Sequence, residues 1–456
     1  MAGAAGAFNV REFGASGDGS HLDTAAVNRA VEACAASGGG MVAFPPGTYL
    51  CGTIRLRSRV TLFLEAGARL AGADDLGLYE HLPGRGAWHR ALVLGSGLED
   101  VAIVGDGVVD GRKVFDPDGE EKMRGPHAIC LGDCRNVTIR DVTISDAANY
   151  AVLLENCDQV QVRDVGFEGG WDGVHFRSRQ GEFNRDLSII GCRFRTGDDC
   201  IAGWGMERLL VKDCAINTSC NGIRIIGPMK GMLVQGCLFF GPGVHPHRTQ
   251  DRYNMLSGVN LQPGAWCACD GPLQDVLLAG CTMKDVACPV NIWLKRPGNT
   301  AEGVVISGLA ATGVYRAAAS VESWSGTPVG SVAFRDVHLS YMYAETRERP
   351  PKEATPPEVD VRPLPAWGLY ARNVRDLVLD DVRLDIPKSD GRPAVSCENV
   401  GRLGLGRFVL PSRASEGAVV LRRVGKLERL SEEYVPPRST RPARGRSDGR
   451  RTRKRK

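Results

Sequence analysis

The chain has 456 residues, 43% of them hydrophobic and 24% charged, with a net charge of only +4. Much of the positive charge lies at the C-terminus, so net charge gives no basis for nucleic-acid or membrane-surface binding. No run of about 18 apolar residues is present to cross a membrane. The length exceeds that of a usual single core, unless the fold is an elongated one that grows by adding units.

In chain order, the opening MAGAAGAFNVREFGA lacks the charged start and apolar stretch of a secretion signal. The chain therefore reads as cytoplasmic as written, or as secreted if a signal was removed. The one clear helix follows. Asp23 or Thr24 caps it, Ala25 to Ala36 form it, and Gly38 to Gly40 stop it. Residues 8–50 read as a cap over one end of the fold.

From Val137 onward one pattern recurs: apolar, any, apolar, any, Asp or Gly, apolar, any, apolar. It reads VTIRDVTI from Val137, VQVRDVGF from Val160, LSIIGCRF from Leu187, LLVKDCAI from Leu209 and MLVQGCLF from Met232. Later copies start at Val276, Val304, Val332 and Leu377. Period-2 alternation is a strand signal, and Asp and Gly tolerate the left-handed backbone, so each unit is strand, tight bend, strand. Spacings of roughly 22–28 residues point to a solenoid. The fold class is all-β: a parallel β-helix of about ten coils spanning residues 1–435, with a short N-terminal capping helix. Fifteen cysteines cannot all pair. Cys192, Cys214, Cys237 and Cys281 share the sixth position of the pattern with Val and Leu, so they read as core. Cys267 and Cys269 form a CxC pair with no clear role.

A second strand follows each copy about a dozen residues on. Val152, Val174, Ile201, Ile223, Val259 and Val290 form its inward column. Leu153, His175, Ala202, Arg224, Asn260 and Asn291 point outward. Two insertions, Gly241 to Leu256 and Met342 to Ala366, enter from the same side and read as surface loops rimming one face. Residues 436–456 read as a basic, disordered, solvated tail.

An isolated Asp-Asp reads as a turn. Here Asp198 and Asp199 open one coil's strand while Asp172 opens the equivalent strand one coil earlier, and neighbouring coils lie about 4.8 Å apart. Three carboxylates should converge, with His175, Arg224, Asn221 and Asn260 beside them. Two jobs need such a cluster. One is glycoside hydrolysis by an acid and a base, which in an inverting enzyme lie about 6.5–9.5 Å apart. The other is holding calcium for a lyase that uses an arginine such as Arg224. Geometry alone does not decide which Asp is the acid.

These residues resemble the polygalacturonase family, glycoside hydrolase family 28. TGDDCIA resembles its paired-aspartate motif, GGWDGVHF its Asn-Thr-Asp-Gly motif, and FNVREFGASGDG through FPPGTY the opening segment of pectate-lyase-like β-helices. The resemblance covers roughly residues 8–400. It implies a right-handed, single-stranded β-helix and an inverting hydrolase with no cofactor and no metal. Asp198 would be the general acid, and Asp172 and Asp199 would hold and activate the water. The family's Gly-His-Gly motif aligns with Cys220-Asn221-Gly222, and its Arg-Ile-Lys motif falls near SGVNLQP, so its histidine and basic pair are not retained. His175, Arg224, Asn221, Asn260, Gln262, Trp204, Asn291 and Lys295 are the expected substrate-binding residues, with Trp293 and Trp324 as further candidates for stacking on sugars. The expectation is a monomeric glycosidase acting on a pectin-like polysaccharide or oligosaccharide, with no nucleic-acid or membrane partner. The alternatives are a lyase or epimerase on the same scaffold, or a non-catalytic carbohydrate-binding β-helix.

Overall fold

A computed structural model describes residues 7–265, 270–342, 351–388, 390–411 and 418–431. The basic tail and the Cys267/Cys269 pair lie outside the described residues.

The repeated pattern builds three columns of parallel strands. In the first, Val137 pairs with Val160, then Leu187, Leu209, Met232 and Val276 follow in strict register. The register continues through Val304, Val332, Leu377, Leu403 and Leu427. Every first position of the pattern therefore occupies one rung of one ladder. The fifth position bends each coil in the left-handed region: Asp141 (φ 69°), Asp164 (53°), Gly191 (65°), Asp213 (54°), Gly236 (64°) and Gly280 (57°). Asp is among the few non-glycine residues that reach this region at small cost, because its short polar side chain bonds locally. The sixth position then points inward, and Cys192, Cys214, Cys237 and Cys281 are buried in the same column as Val142 and Val165. All thirteen described cysteines are buried free thiols.

Among the described residues the first column counts fifteen strands, from Phe8–Asn9 to Val419–Arg429, more than the ten coils expected. The coils before Val137 escape the pattern because longer turns, 65–67 and 105–107, replace the one-residue bend between Val60–Leu64 and Ala68–Gly72 and between Glu99–Val104 and Val108–Asp110. One hydrophobic core runs continuously from Val10 to Leu405.

The helix spans Thr24–Ala36 and lays Ala26, Val27, Ala30, Val31 and Cys34 on the lower end of that core. This is the expected cap, with one difference. Asp23 makes no side-chain capping bond to the helix. Its carboxylate instead accepts from the Ser16 and Gly17 backbone N–H groups at 2.7 and 3.0 Å and ties the opening loop to the cap.

The third column positions the site. It stacks Val152–Glu155, Val174–Arg177, Ile201–Gly203, Asn221–Ile225, Ser257–Leu261, Val290–Leu294 and Ala319–Ser323. The inward residues are those expected, and His175 lies beside Ala202, then Arg224, Asn260 and Asn291 on the outer face. That face is covered by additional segments. The second insertion crosses it like a strap: Val361 packs with Leu256, Cys288 and Trp293. Arg362 pairs with the fully buried Glu322 at 2.6 Å.

Candidate active site

Backbone pairing carries the third column two residues beyond its strands. Gly173 N–H donates to Asp199 O (3.0 Å) and Cys200 N–H to Asn221 O (3.0 Å). Asp172 and Asp199 are thereby held one strand spacing apart, and Asp198 adjoins them on the bend. Oxygens of Asp172, Asp198 and Asp199 all lie within 4.8 Å of one another, and all three residues are buried. This is closer than the spacing of about 6.5–9.5 Å expected of an inverting acid–base pair.

Each carboxylate has a different environment. Asp198 lies 3.4 Å from Arg124 Nη2 and 3.8 Å from His247 Nε2. Asp199 accepts from the Asn221 backbone N–H (3.0 Å) and Nδ2 (2.8 Å), and faces Arg224 Nη1 at 3.5 Å. Among the described residues Asp172 is paired with no guanidinium; its Oδ2 lies 2.6 Å from His175 Nδ1.

The ionisation follows. Burial pushes Asp172 well above the ordinary carboxylate range, and the charges of Asp198 and Asp199 push it further. Burial also raises Asp199, against the pull of Arg224. Burial acts the same way on Asp198, but Arg124 and His247 outweigh it and hold Asp198 below the usual value. Two guanidiniums in contact with three buried carboxylates leave one negative charge uncompensated, so the cluster retains a proton and titrates as a unit.

A cavity of about 520 Å³ opens over the cluster, within the size range of small-ligand sites. The first insertion supplies His247, Thr249, Gln250 and Arg252 to its wall, and the strap closes it with Val359 and Asp360. Arg252 anchors the first insertion through the Ser219 carbonyl. On the other side, Arg124 stacks on Trp171 with its guanidinium carbon 3.7 Å from the ring centroid. Arg177 lies over Trp88 and Trp204, at 4.0 and 4.8 Å.

Of the expected binding residues, His175, Arg224, Asn221 and Trp204 meet at the cavity or its carboxylates. Asn260, Asn291, Gln262 and Lys295 do not line it. Asn221, Asn260 and Asn291 form a ladder in which each amide donates to the preceding one, ending on Ser257. Asn260 and Asn291 are fully buried in that ladder. Gln262 is also fully buried and donates to Val359 O at 3.2 Å, while the Lys295 ammonium is taken by Glu358 O. The strap meets the face at Gln262 and Lys295, and at Asn260 and Asn291 the polar groups are consumed by the ladder itself, so the face that the strand pattern exposes becomes interior. Trp293 is likewise buried, with its Nε1 donating to Ser320. Trp324 is engaged by Glu322 and Arg372.

Arg124, Tyr150, Arg177 and His247 escaped the sequence reading. Arg124 and His247 sit in aperiodic segments, 113–126 and the first insertion. Tyr150 and Arg177 flank strands whose ends carry no signal in the pattern. For Tyr150 a signal did exist, since it falls in register with Asp172 one coil below.

Among the described residues, two groups have metal-ligand spacing: the three aspartates, and Asp198 with Cys220 and His247. In both, guanidiniums already occupy the cationic role. Arg124 and Arg224 face the aspartates, and Arg252 Nη2 lies 3.6 Å from Cys220 Sγ. A bound cation would have to compete with those guanidiniums for the carboxylates.

Residues 7–69 match the family described as rhamnogalacturonase A/epimerase, pectate lyase-like, and residues 127–242 match the right-handed β-helix region. The chain is a right-handed parallel β-helix. It is 28% identical over 302 residues to a probable polygalacturonase of Vitis vinifera, an alignment covering 60% of each chain. It is 25% identical over 378 residues to an exopolygalacturonase of Arabidopsis thaliana, covering 73% of this chain and 76% of that one. Among solved structures, a hyperthermoactive exopolygalacturonase from Thermotoga maritima superposes with a TM-score of 0.60 at 17% identity, covering 83% and 91% of the two chains. PfbA, a surface adhesin of Streptococcus pneumoniae, superposes at 0.52 with 16% identity, covering 93% of each. The chain spans about 60% of the first of these relatives, and its fold is shared by a protein named an exopolygalacturonase and by one named an adhesin.

Proposed function

We propose that this chain is a glycosidase that removes residues from the end of an acidic, pectin-type polysaccharide. The observation that carries the reading is a cluster of three buried carboxylates at the floor of a cavity walled by residues of both insertions. An open groove would admit a chain interior; a walled cavity admits a chain end. The guanidiniums of Arg124, Arg177, Arg224 and Arg252 line it and favour a sugar that carries a carboxylate.

In this reading Asp198 gives its proton to the leaving oxygen. Its side chain is the most accessible of the three, at 12% against 5% for Asp172 and 6% for Asp199. Asp172 and Asp199 hold the water. One water making two hydrogen bonds of about 2.8 Å spans acceptors roughly 4.5 Å apart, which suits these oxygens. Arg124 keeps Asp198 ionised in the free protein. A sugar carboxylate that engages Arg124 weakens that hold, so the shared proton moves to Asp198 when substrate is bound. Inversion is the proposed stereochemical course, following the family resemblance.

The test is product size on homogalacturonan and rhamnogalacturonan. Monomer as the first product, lost in Asp198→Asn, supports the reading. A ladder of long fragments contradicts terminal attack, and unsaturated ends signify a lyase. The adhesin's shared fold motivates the second reading, in which sugar binding survives Asp198→Asn and no bond is cleaved.

A further inference from the structure

The hydrogen-bond direction through His175 is fixed by its neighbours. Arg177 is always protonated, and its Nε–H points at His175 Nε2 over 3.3 Å. Nε2 must therefore be the lone-pair nitrogen. The ring proton then sits on Nδ1 and is donated to Asp172 Oδ2 at 2.6 Å. The imidazole cannot turn, because it stacks flat on Tyr150, with centroids 4.1 Å apart and planes 2° from parallel, and Trp204 abuts it edge-on. Arg177 is itself fixed by Tyr150 Oη at 3.0 Å and by the Trp88 ring.

We propose that His175 is a positioning residue: the Arg177–His175–Asp172 relay presents a neutral, fixed donor to Asp172 and so sets the orientation and charge of that carboxylate toward the attacking water. This rests on the hydrolase reading above. His175 has no polar atom left for a sugar, since Nε2 is taken by Arg177 and Nδ1 by Asp172. The charged groups facing the pair are Asp198, Asp199, Arg124 and Arg224 around Asp172, and Arg177, Arg124, His127 and Arg224 around His175. Burial together with those arginines holds the imidazole neutral. A neutral donor still favours the ionised carboxylate of Asp172.

Three variants test the relay. H175A is expected to lower kcat about 10²-fold with KM little changed. It also moves the acid limb of kcat/KM to higher pH, because Asp172 loses the donor that favours its ionised form. H175N places an amide N–H where Nδ1 was and restores both kcat and the limb. H175Q places it at the Nε2 position and does not. Unchanged kcat and pH profile in H175A, or equal behaviour of H175N and H175Q, overturns the proposal. A readout independent of turnover is the imidazole ¹⁵N spectrum of the wild-type protein, assigned by its loss in H175N. The relay requires an Nδ1-protonated ring that does not titrate between about pH 5 and 8. An Nε2-protonated ring, or a midpoint near the ordinary value of about 6.5, overturns it. If the wild-type protein cleaves no polysaccharide, the hydrolase reading falls, and the spectrum still decides the relay.

Discussion

Asp172→Asn should make the protein more stable while abolishing its chemistry. Among the described residues Asp198 pairs with Arg124 and Asp199 with Arg224 while Asp172 pairs with neither, and its oxygens lie within 4.8 Å of those of the two other buried carboxylates. Unit charges 4.8 Å apart repel by about 3.5 kcal/mol at an effective dielectric of about 20, for each neighbour that is ionised. The more distant Arg124 and Arg224 offset much of this, leaving a net cost on the order of 2 kcal/mol at neutral pH. Asparagine removes the charge and keeps an oxygen that accepts from His175 Nδ1. The pH dependence has a definite sign. Asp172 binds its proton more tightly in the folded chain than in the unfolded one. The stability it allows is therefore fully present below the unfolded value of about 3.9 and is lost as pH rises through the raised folded value. Thermal denaturation followed by circular dichroism at pH 7 should show the variant melting about 2–4 °C higher. The difference should vanish as pH falls toward 4 and below, where the carboxyl of the unfolded chain also takes up its proton and the two states no longer differ in protonation. A lower melting temperature at pH 7, or a difference independent of pH, would refute the reasoning.

Three other predictions follow from the packing. Asp213 sits at φ 54° on an exposed bend, so Asp213→Val should cost about 1–2 kcal/mol in denaturant unfolding, whereas Asp213→Gly should cost nothing. Arg362→Ala strands the buried Glu322 carboxylate at a cost of about 3–5 kcal/mol locally. The strap should then become sensitive to limited proteolysis, and the products should shift toward longer fragments as the wall formed by Val359 and Asp360 loosens. A thiol reagent acting on the native protein should titrate no more than two of the fifteen cysteines, because thirteen are buried; all fifteen should react after denaturation.

The fold was readable from sequence because its rule is local. Each bend needs a residue that tolerates a positive φ, and each following position needs a small apolar side chain, so Asp141-Val142 and Gly191-Cys192 announce the same geometry. The three aspartates were readable for the same reason, since register alone stacks Asp172 on Asp199. The binding face was not. Which side of a strand faces outward follows from alternation, but what lies on that side depends on segments far away in the chain. Asn260, Asn291 and Gln262 look like an exposed polar row, yet all three are buried, Gln262 against the Val359 carbonyl of the strap and the two asparagines in their own ladder. Arg124 and His247 come from aperiodic loops whose path is set by tertiary contacts, the stacking of Arg124 on Trp171 and the anchoring of the first insertion by Arg252.

Proton NMR of the anomeric products, recorded during digestion of homogalacturonan by the wild-type protein and by Asp198→Asn, tests the central claim most directly. The account predicts saturated products released with inverted anomeric configuration, and their absence in the variant. Products with retained configuration, or undiminished turnover by Asp198→Asn, would contradict it.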